Sequence, residues 1–275
     1  MSISVLMSVY RSERPAYLAR ALESVWDDQT MKPDEIVLVE DGPLGDGLLS
    51  IIGQWKEKLG GRLKVLVNEE NLGLTKSLNR GLAVAEGEYI ARMDSDDVSM
   101  PRRFESQADF LDSHPEVSIL GGSLQEFDDS CENLNVRRYP ASPADVKRYI
   151  AKASPLAHPT VMMRRSIFDD GLRYDERYRT SQDIALWFDA LCAGYQISNL
   201  SEVTIKFRRD GDVFKRRSKA KARNEFRIYM HGIRRLYGLF SWRYAYPLAR
   251  FIFRMMPVSV VKAVYGSNLR KSMLK

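Results

Sequence analysis

Three aspartates stand within four positions, at Asp94, Asp96 and Asp97, directly after the apolar segment 89–93. Carboxylates this close repel one another and are costly to bury unless a cation neutralises them. Carboxylate oxygens at the end of a strand are ligands that suit Mg2+ or Mn2+. Asp94 and Asp96 are two residues apart, so on an extended backbone their side chains point the same way. The spacing therefore predicts a divalent cation site.

The same aspartates allow a structural interpretation. They could form a solvated acidic turn in which Asp97 caps a helix that Pro101 helps to start. An isolated Asp-x-Asp pattern has a real false-positive rate, so the surrounding chain has to decide between the two interpretations.

Strand-like and helix-like segments alternate through the first hundred residues. Dense aliphatic runs predict strands at Ile3–Val9, 35–39, 63–67 and 89–93. Segments with apolar residues at helical spacing lie between them, at 16–27, 48–59 and 74–85. This alternation predicts an α/β fold with a doubly wound, mostly parallel sheet and helices on both faces. Such sheets bind ligands beyond the carboxyl ends of their strands.

The pattern is less regular after residue 100. It predicts helices at 102–113, from Pro143 and at 184–193, and strands at Val117–Phe127 and 160–163. The C-terminal residues lose strand character and become rich in arginine, aromatic residues and methionine.

Polar side chains follow three of the predicted strands. Tyr10 follows the first strand, Glu40 and Asp41 end the second, and the aspartates end the fourth. Because the carboxyl ends of parallel strands share one edge, we expect these side chains to line one site. An ionised Asp41 can accept from a nucleobase N–H or a ribose hydroxyl, although Asp-Gly-Pro also supports an ordinary turn.

The segment from Asn71 to Gly81 joins the third strand to an amphipathic helix. Gly73 permits a tight entry to that helix, and Lys76 or Arg80 could reach a diphosphate. The alternative is a surface helix with an ordinary cap.

Two further residues have open roles. Asp183 lies at the first turn of an apolar helix, where it is either a partner of the helix dipole or a general base with Trp187 packed behind it. His158 precedes a short strand, and a lone histidine is more often structural than catalytic. With three histidines and no Ser/His/Asp motif, hydrolase-type nucleophilic chemistry has little support.

The net charge of +6 conceals a strong asymmetry. Residues 206–275 hold 19 Lys and Arg against 3 Asp and Glu, so the tail region is strongly basic and the remainder acidic. The two cysteines, Cys131 and Cys192, exclude a disulfide framework or a structural zinc site and suit a reducing compartment. The N-terminal run has no signal-peptide features, and we expect no membrane-spanning helix.

The motifs together resemble glycosyltransferase family 2, the inverting nucleotide-sugar transferases with the GT-A fold. In order, they are Val9-Tyr10, Glu40-Asp41-Gly42, Asn71-x-Gly73-Leu74, Asn79-x-Gly81, Gly87-x-Tyr89-Ile90-x-x-Met93-Asp94-x-Asp96-Asp97 and Gln182-Asp183-x-x-Leu186-Trp187. The resemblance covers residues 1–210 and is most specific at 71–97. It is closest in kind to bacterial enzymes that build O-antigen and other surface polysaccharides.

The resemblance implies a role for each matched residue. Asp96 would ligate Mn2+ or Mg2+ on the diphosphate, and Asp183 would be the catalytic base. His158 and Arg208 would lie near the acceptor or the diphosphate. Tyr10 and Asp41 would contact the uridine, and Asp94 would contact the ribose and the sugar. The full set implied to bind the nucleotide sugar is Val9, Tyr10, Glu40, Asp41, Asn71, Lys76, Arg80, Asp94 and Ser95.

Three departures from the family pattern bear on these roles. Glu40 replaces the more usual aspartate, and Met7-Ser8 replaces a proline-bearing start to the first loop. Gln182 replaces the acid that normally accompanies the base, which bears on how Asp183 is tuned.

The implied reaction is an inverting transfer, by metal-assisted single displacement, from a UDP-sugar to a polyprenyl-diphosphate-linked saccharide. Galactose is the suggested sugar. The alternatives are another nucleotide sugar, a soluble acceptor, or a sugar nucleotidyltransferase. The last normally needs a Gly-rich phosphate loop after the first strand, and residues 8–15 contain no glycine.

The implied organisation is a GT-A domain at 1–210 followed by a basic amphipathic extension at 211–275. Residues 1–100 would bind the nucleotide sugar and residues 101–210 the acceptor. The extension begins with the cluster Lys215, Arg216 and Arg217, and it predicts attachment to an anionic membrane. The enzyme would then be cytoplasmic, peripheral at the inner face of a bacterial membrane. Nucleic acid is disfavoured as a partner because the body is acidic.

Overall fold

The computed structural model describes residues 1–128, 130, 132–209 and 219–256. Lys215, Arg216 and Arg217, on which part of the membrane prediction depends, lie outside the described residues, as do Cys131 and the segment 257–275.

A nine-stranded sheet runs through the described part of the chain, in the order β3-β2-β1-β4-β8-β6-β9-β5, with β7 paired to β6. Strands β1 to β4 are parallel to one another, and β8 is antiparallel to both β4 and β6. The strands are β1 Ile3–Val9, β2 Glu35–Asp41, β3 Leu63–Asn68, β4 Tyr89–Asp94, β5 Val98–Ser99, β6 Val117–Phe127, β7 Asn133–Arg137, β8 Met162–Arg164 and β9 Gln196–Arg208.

Helices cover both faces of this sheet. On one face, Leu6 and Val37 share a core cluster with residues of α3 and α7, and on the other Val5 and Ile36 pack with α1 and α2. The predicted doubly wound, mostly parallel sheet is therefore confirmed. The helices are α1 Pro15–Trp26, α2 Asp46–Leu59, α3 Leu74–Leu82, α4 Arg103–Ser113, α5 Pro143–Tyr149, α6 Ser166–Asp169, α7 Gln182–Cys192, α8 Lys219–Tyr237 and α9 Ala245–Met255.

Helix α3 lies unusually close to the sheet because residue 81 is glycine. A Cβ at Gly81 would stand 2.2 Å from Cδ1 of Leu6, so a larger residue would push the helix away from β1. The close approach holds the C-terminal turn of α3 against β1, while Asp41 at the end of β2 accepts from the loop before the helix.

Helix α8 packs against α7, which carries Asp183. Ile228, Tyr229 and Ile233 of α8 share a core cluster with Trp187 and Phe188 of α7. A predicted helical C-terminal region is therefore present, although its division from the rest of the chain at residue 210 stays a prediction. None of the described helices is long and apolar enough to cross a membrane.

The short strand expected at 160–163 is present as β8, Met162–Arg164, but it begins two residues later because His158–Thr160 forms a 3-10 turn. The hydroxyl of Thr160 donates to the carbonyl of Ala157 at 2.7 Å, and this local bond favours a turn over an extended strand. Asp97 does not cap α4, because the cap position is Arg102 and Asp97 is fully buried.

Candidate active site

A cleft of about 510 Å³ lies at the carboxyl ends of β1, β2 and β4. Its walls come from the loop after β1, the end of β2, the loop before α3 and the end of β4. The lining residues are Ser8, Tyr10, Ser12, Glu13, Arg14, Tyr17, Asp41, Asn71, Gly73, Leu74, Asp94, Ser95 and Asp96. The structure thus brings together Tyr10, Asp41, Asn71, Asp94, Ser95 and Asp96 of the predicted set.

The Asp41 carboxylate holds the loop before α3. Its Oδ1 accepts from the Leu72 amide at 2.8 Å and from Nδ2 of Asn68 at 3.0 Å, and its Oδ2 accepts from the Gly73 amide at 3.0 Å. Asn71 donates to the Asp41 carbonyl at 3.2 Å. Each carboxylate oxygen has two lone pairs, so Asp41 both orders this wall and keeps acceptor capacity for a ligand.

The side chains of Glu40 and Val9 do not line the cleft, unlike those of Asp41 and Tyr10. Val9 is fully buried, and Glu40 is buried on the opposite side of β2 from Asp41, because successive side chains of a strand alternate. Burial raises the pKa of Glu40, and the charge of Lys56 on α2 opposes that rise.

Two predicted phosphate-binding cations lie on the exposed side of α3. Lys76 and Arg80 are both exposed. The guanidinium of Arg80 donates to the Asn68 side chain and, at 3.3 Å, to the Val67 carbonyl, so it braces the end of β3.

The acidic cluster is compact. One carboxylate oxygen from each of Asp94, Asp96 and Asp97 lies within 4.8 Å of the others. Oδ1 of Asp97 accepts from the Arg208 amide at 2.8 Å, whereas its buried Oδ2 has no hydrogen-bond partner among the described residues. Burial raises the pKa of Asp97 well above its usual range, and the charges of Asp94 and Asp96 add to this.

The pKa of Asp96, which lines the cleft, is raised by the same kinds of cause. Burial, followed by the charges of Asp94 and Glu13, raises the pKa of Asp96 to about 7. Carboxylates that are crowded and partly buried in this way favour a bound cation, which would neutralise them. The three carboxylates, with the unpartnered Oδ2 of Asp97 among their oxygens, fit a hard divalent ion such as Mn2+ or Mg2+.

Arg208 packs directly behind the cluster. Its Nε donates to the Asp96 carbonyl at 3.0 Å. Its guanidinium carbon lies 3.8 Å from the centroid of the Tyr17 ring and 4.5 Å from that of Phe127, so the cation stacks on both rings. Its predicted location near the acceptor or the diphosphate stays a prediction.

Asp183 stands at the first turn of α7, on a segment with an unusual backbone. Ser181, the N-cap, has a φ of 61°, a left-handed conformation that non-glycine residues adopt rarely. Asn224 of α8 donates to the Thr180 carbonyl at 2.6 Å and supports this turn. Burial raises the pKa of Asp183, opposed by the Ile184 amide and by the charge of Arg92, and a raised pKa improves a carboxylate as a base.

His158 is a satisfied buried residue. Its Nε2 shares a hydrogen bond of 2.7 Å with the Tyr174 hydroxyl, and its ring meets the Trp187 ring edge-on at 6.0 Å. Burial lowers the pKa of His158 well below its ordinary value, and the nearby charge of Arg92 lowers it further. The imidazole is therefore neutral, and His158 is not among the residues that line the cleft.

Sequence reasoning missed several residues of the site. Glu13 accepts from the Ser95 hydroxyl at 2.7 Å, and Tyr17 stacks on Arg208. The guanidinium of Arg179 lies 3.7 Å from where a Cβ of Gly73 would stand, at the rim of the cleft. These contacts join segments that are far apart in the sequence, so local pattern held no signal for them.

Similarity to known proteins agrees with this architecture. The sequence profile described as Glycosyl transferase family 2 matches residues 4–172. The chain is 35% identical over 266 residues to the amylovoran biosynthesis glycosyltransferase AmsE of Erwinia amylovora, covering 96% of this chain and 98% of that protein. It is 29% identical over 269 residues to the Escherichia coli UDP-Gal:alpha-D-GlcNAc-diphosphoundecaprenol beta-1,3-galactosyltransferase, covering 98% and 96% of the two chains.

The fold is also that of a solved glycosyltransferase structure. Residues 1–349 of S. aureus TarS in complex with UDP-GlcNAc superpose with a TM-score of 0.68 at 24% identity, covering 92% of this chain and 72% of that one. The predicted GT-A fold and the predicted enzyme class are both confirmed. The chain belongs to glycosyl transferase family 2 and is a glycosyltransferase of the kind that acts in polysaccharide biosynthesis.

Proposed function

We propose that this glycosyltransferase moves a sugar from a UDP-sugar to a saccharide carried on a polyprenyl diphosphate, with inversion at the anomeric carbon. The observation that carries the proposal is the acidic cluster Asp94, Asp96 and Asp97 at the edge of a cleft whose far wall is ordered by Asp41. That cleft has a place for a metal-bound diphosphate beside a place for a nucleoside.

The donor would lie along the cleft between these two ends. Tyr10 is exposed at the mouth and offers a ring and a hydroxyl, and Asp41 keeps lone pairs for a uracil N–H. Asn71 and Ser95 add polar atoms to the walls. Four residues of the predicted donor set would support this site without lining it. The side chains of Val9 and Glu40 are buried, and those of Lys76 and Arg80 lie on the exposed side of α3.

Asp96 would hold Mn2+ or Mg2+, with Asp94 and Asp97 beside it. When bound, the ion would neutralise the departing diphosphate as a Lewis acid. The protein's own contribution is to fix the carboxylates: Asp97 is held by the Arg208 amide, and Asp94 is paired with Arg92.

Asp183 would act as the general base. The acceptor oxygen forms a bond to C1 of the sugar, the bond from C1 to the diphosphate oxygen breaks, and the hydroxyl proton passes to the Asp183 carboxylate. A single in-line displacement inverts the anomeric carbon. Gln182, buried beside Asp183, is neutral, so it adds no second negative charge to the base.

A thermal-shift screen of nucleotide sugars tests the donor. We expect UDP compounds to raise the melting temperature in the presence of Mn2+ and not in EDTA, with UDP-galactose as the proposed turnover substrate. The E. coli relative is named for UDP-galactose and a diphosphoundecaprenol acceptor, so that lipid-linked acceptor is the first to test. If no UDP compound stabilises the protein in a metal-dependent way, the proposed donor is wrong.

The turn between α8 and α9 and the outer side of α9 support attachment to an anionic membrane. Six of the twelve large apolar side chains exposed in the described residues lie here: Leu239, Phe240, Trp242, Leu248, Ile252 and Met256. The last three are spaced four residues apart and therefore form one stripe of α9. Residues 219–256 hold nine Lys and Arg against one acidic residue.

An apolar stripe with aromatic residues and surplus cations matches the chemistry of an anionic lipid surface. We therefore propose that this surface places the enzyme at the cytoplasmic face of a bacterial membrane, where a polyprenyl-linked acceptor would be presented. Exposed arginines on α8 that could contribute to this attraction include Arg223, Arg227 and Arg234.

Vesicle sedimentation tests this surface without removing α8, which contributes to the core. The double variant Phe240→Ser with Trp242→Ser should pellet less with phosphatidylglycerol vesicles, and Leu49→Ser with Val67→Ser is the matched control, since those exposed side chains lie elsewhere. Equal pelleting of the two double variants contradicts the proposal. A concentration-dependent dimer that the first double variant abolishes would identify a second copy as the occupant instead.

A further inference from the structure

We propose that Arg92 is a positioning residue for both halves of the active site: it holds Asp94 at the cleft and is a buried cation on the face of the sheet that α7, the helix of Asp183, covers. The inference rests on the proposed function, because it uses the roles assigned there to Asp94 and Asp183.

The position of Arg92 on β4 determines which helix it faces. Ile90 packs in the core cluster that contains Trp187 and Tyr174, and alternate residues of a strand share a face. Arg92 and Asp94 therefore lie on the side of the sheet that α7 covers. Asp94 is the last residue of that strand and lines the cleft.

The contacts of Arg92 are incomplete in a way that a purely structural arginine's would not be. Its side chain is buried, and Nη2 forms an ion pair with Oδ1 of Asp94. Its Nε and Nη1 are buried without a hydrogen-bond partner among the described residues. Leaving donors of a buried guanidinium unpaired is costly, so a role beyond packing is indicated.

Arg103 provides the internal contrast, since it is equally buried and contacts the same strand. Its Nη2 donates to the Arg92 carbonyl at 2.7 Å, its Nε to Gln107 at 3.0 Å, and its Nη1 lies 3.4 Å from Sδ of Met93. All three of its guanidinium nitrogens have a partner, two of them on β4 and one within α4. Arg103 is a structural arginine, and Arg92 differs from it by pairing with a cleft carboxylate.

Arg92 pairs with Asp94 at the cleft, and its charge opposes the rise that burial causes in the pKa of Asp183. Around Asp183, the ionisable groups of the described residues include Lys221 and Tyr229 of α8 and Tyr174 in the segment before α7. Lys221 is exposed, so Arg92 is the buried cation in this group. Removing its charge should make Asp183 harder to ionise.

Two substitutions separate geometry from charge. Arg92→Lys keeps the charge and loses the planar fork that orients Asp94, whereas Arg92→Met loses both. Arg103→Lys is the control for disturbing a buried arginine that contacts the same strand from α4. Each variant is assayed for UDP affinity with Mn2+ by calorimetry, for the pH profile of kcat, and for melting temperature.

The Lys variant should bind UDP-sugar about tenfold more weakly while the acidic limb of its kcat profile stays in place. The Met variant should show the same loss of affinity and an acidic limb moved about 0.5–1 pH unit upward, because the base loses its buried cation. Arg103→Lys should melt at a lower temperature with the affinity and the acidic limb of the original protein.

An acidic limb that stays in place in folded Arg92→Met overturns the proposal. If that variant does not fold, unchanged UDP-sugar affinity in Arg92→Lys overturns it. A failure of the proposed function would give a different result. The unsubstituted protein would then bind no UDP compound, and Arg92 would have no site to position.

Discussion

Asp41 and the cluster Asp94, Asp96 and Asp97 occupy equivalent places, at the carboxyl ends of two parallel strands on either side of β1, but the fold treats them differently. Asp41 accepts from two backbone amides and one side-chain amide, so the fold satisfies its charge. The cluster crowds three carboxylates together and leaves Oδ2 of Asp97 buried without a partner among the described residues.

The difference separates a carboxylate that holds the protein together, besides its proposed contact with the donor, from carboxylates whose charge the fold leaves for a ligand. A group that the fold already satisfies should cost stability when removed. A group whose charge the fold leaves uncompensated should cost function when removed, with little or no cost in stability.

The largest effect should come from Asp96→Ala. Loss of a metal ligand removes several kcal/mol of transition-state stabilisation, so we expect kcat to fall about 1000-fold, measured as sugar transfer with Mn2+. The melting temperature of the metal-free protein should not fall, because a repelling charge has been removed. Asp109→Ala, an exposed substitution on α4, serves as the control. Full activity in Asp96→Ala would place the metal elsewhere.

Asp41→Ala should instead destabilise the protein. It leaves the Leu72 and Gly73 amides without their acceptor, at a cost of about 3 kcal/mol in the free energy of unfolding measured in urea. Asp41→Asn retains one acceptor oxygen and should lose less. An unfolding free energy that is unchanged in Asp41→Ala would break the contrast with the cluster.

His158 is a second group that the fold satisfies, and its burial should be visible in how the free energy of unfolding depends on pH. Its folded-state pKa lies below the unfolded value of about 6.5, so the unfolded chain binds more protons in acid and stability falls as the pH drops below about 6.5. The unfolding free energy should fall by up to about 1.4 kcal/mol per pH unit more in the original protein than in His158→Gln. Parallel curves for the two proteins would contradict a buried neutral histidine.

Asp97→Asn should give the smallest change. The amide oxygen can still accept from the Arg208 amide, while the buried negative charge disappears. We expect the metal-free protein to gain about 1 kcal/mol or less in stability and to bind Mn2+ more weakly, measured by thermal melts and calorimetry. A loss of stability would show that Asp97, like Asp41, is a structural carboxylate.

The N-terminal half of the fold was predictable because its strands are dense aliphatic runs separated by amphipathic helices. β1 was predicted with its observed bounds, Ile3–Val9. β9 was not predicted as a strand, since polar residues interrupt it and its register with β6 shifts twice near Gly122 and Ser123. Short-range pattern carries little information on such irregular pairing.

The site was predictable where its residues follow one another in the sequence and unpredictable where they meet through the fold. The carboxylates of β4 and their cleft with Tyr10 and Asp41 followed from strand order. Arg80 was assigned to a phosphate, yet it braces Asn68. Arg92 lies in an apolar strand with no local sign that its charge would be buried beside Asp94.

Calorimetric titration of UDP into the protein, with Mn2+ and again with EDTA, tests whether the acidic cluster holds a diphosphate through a metal. We predict binding in Mn2+ that weakens at least about tenfold in EDTA and in Asp96→Ala, because the metal would then be lost from the cluster. UDP binding of equal strength in Mn2+, in EDTA and in Asp96→Ala would contradict it.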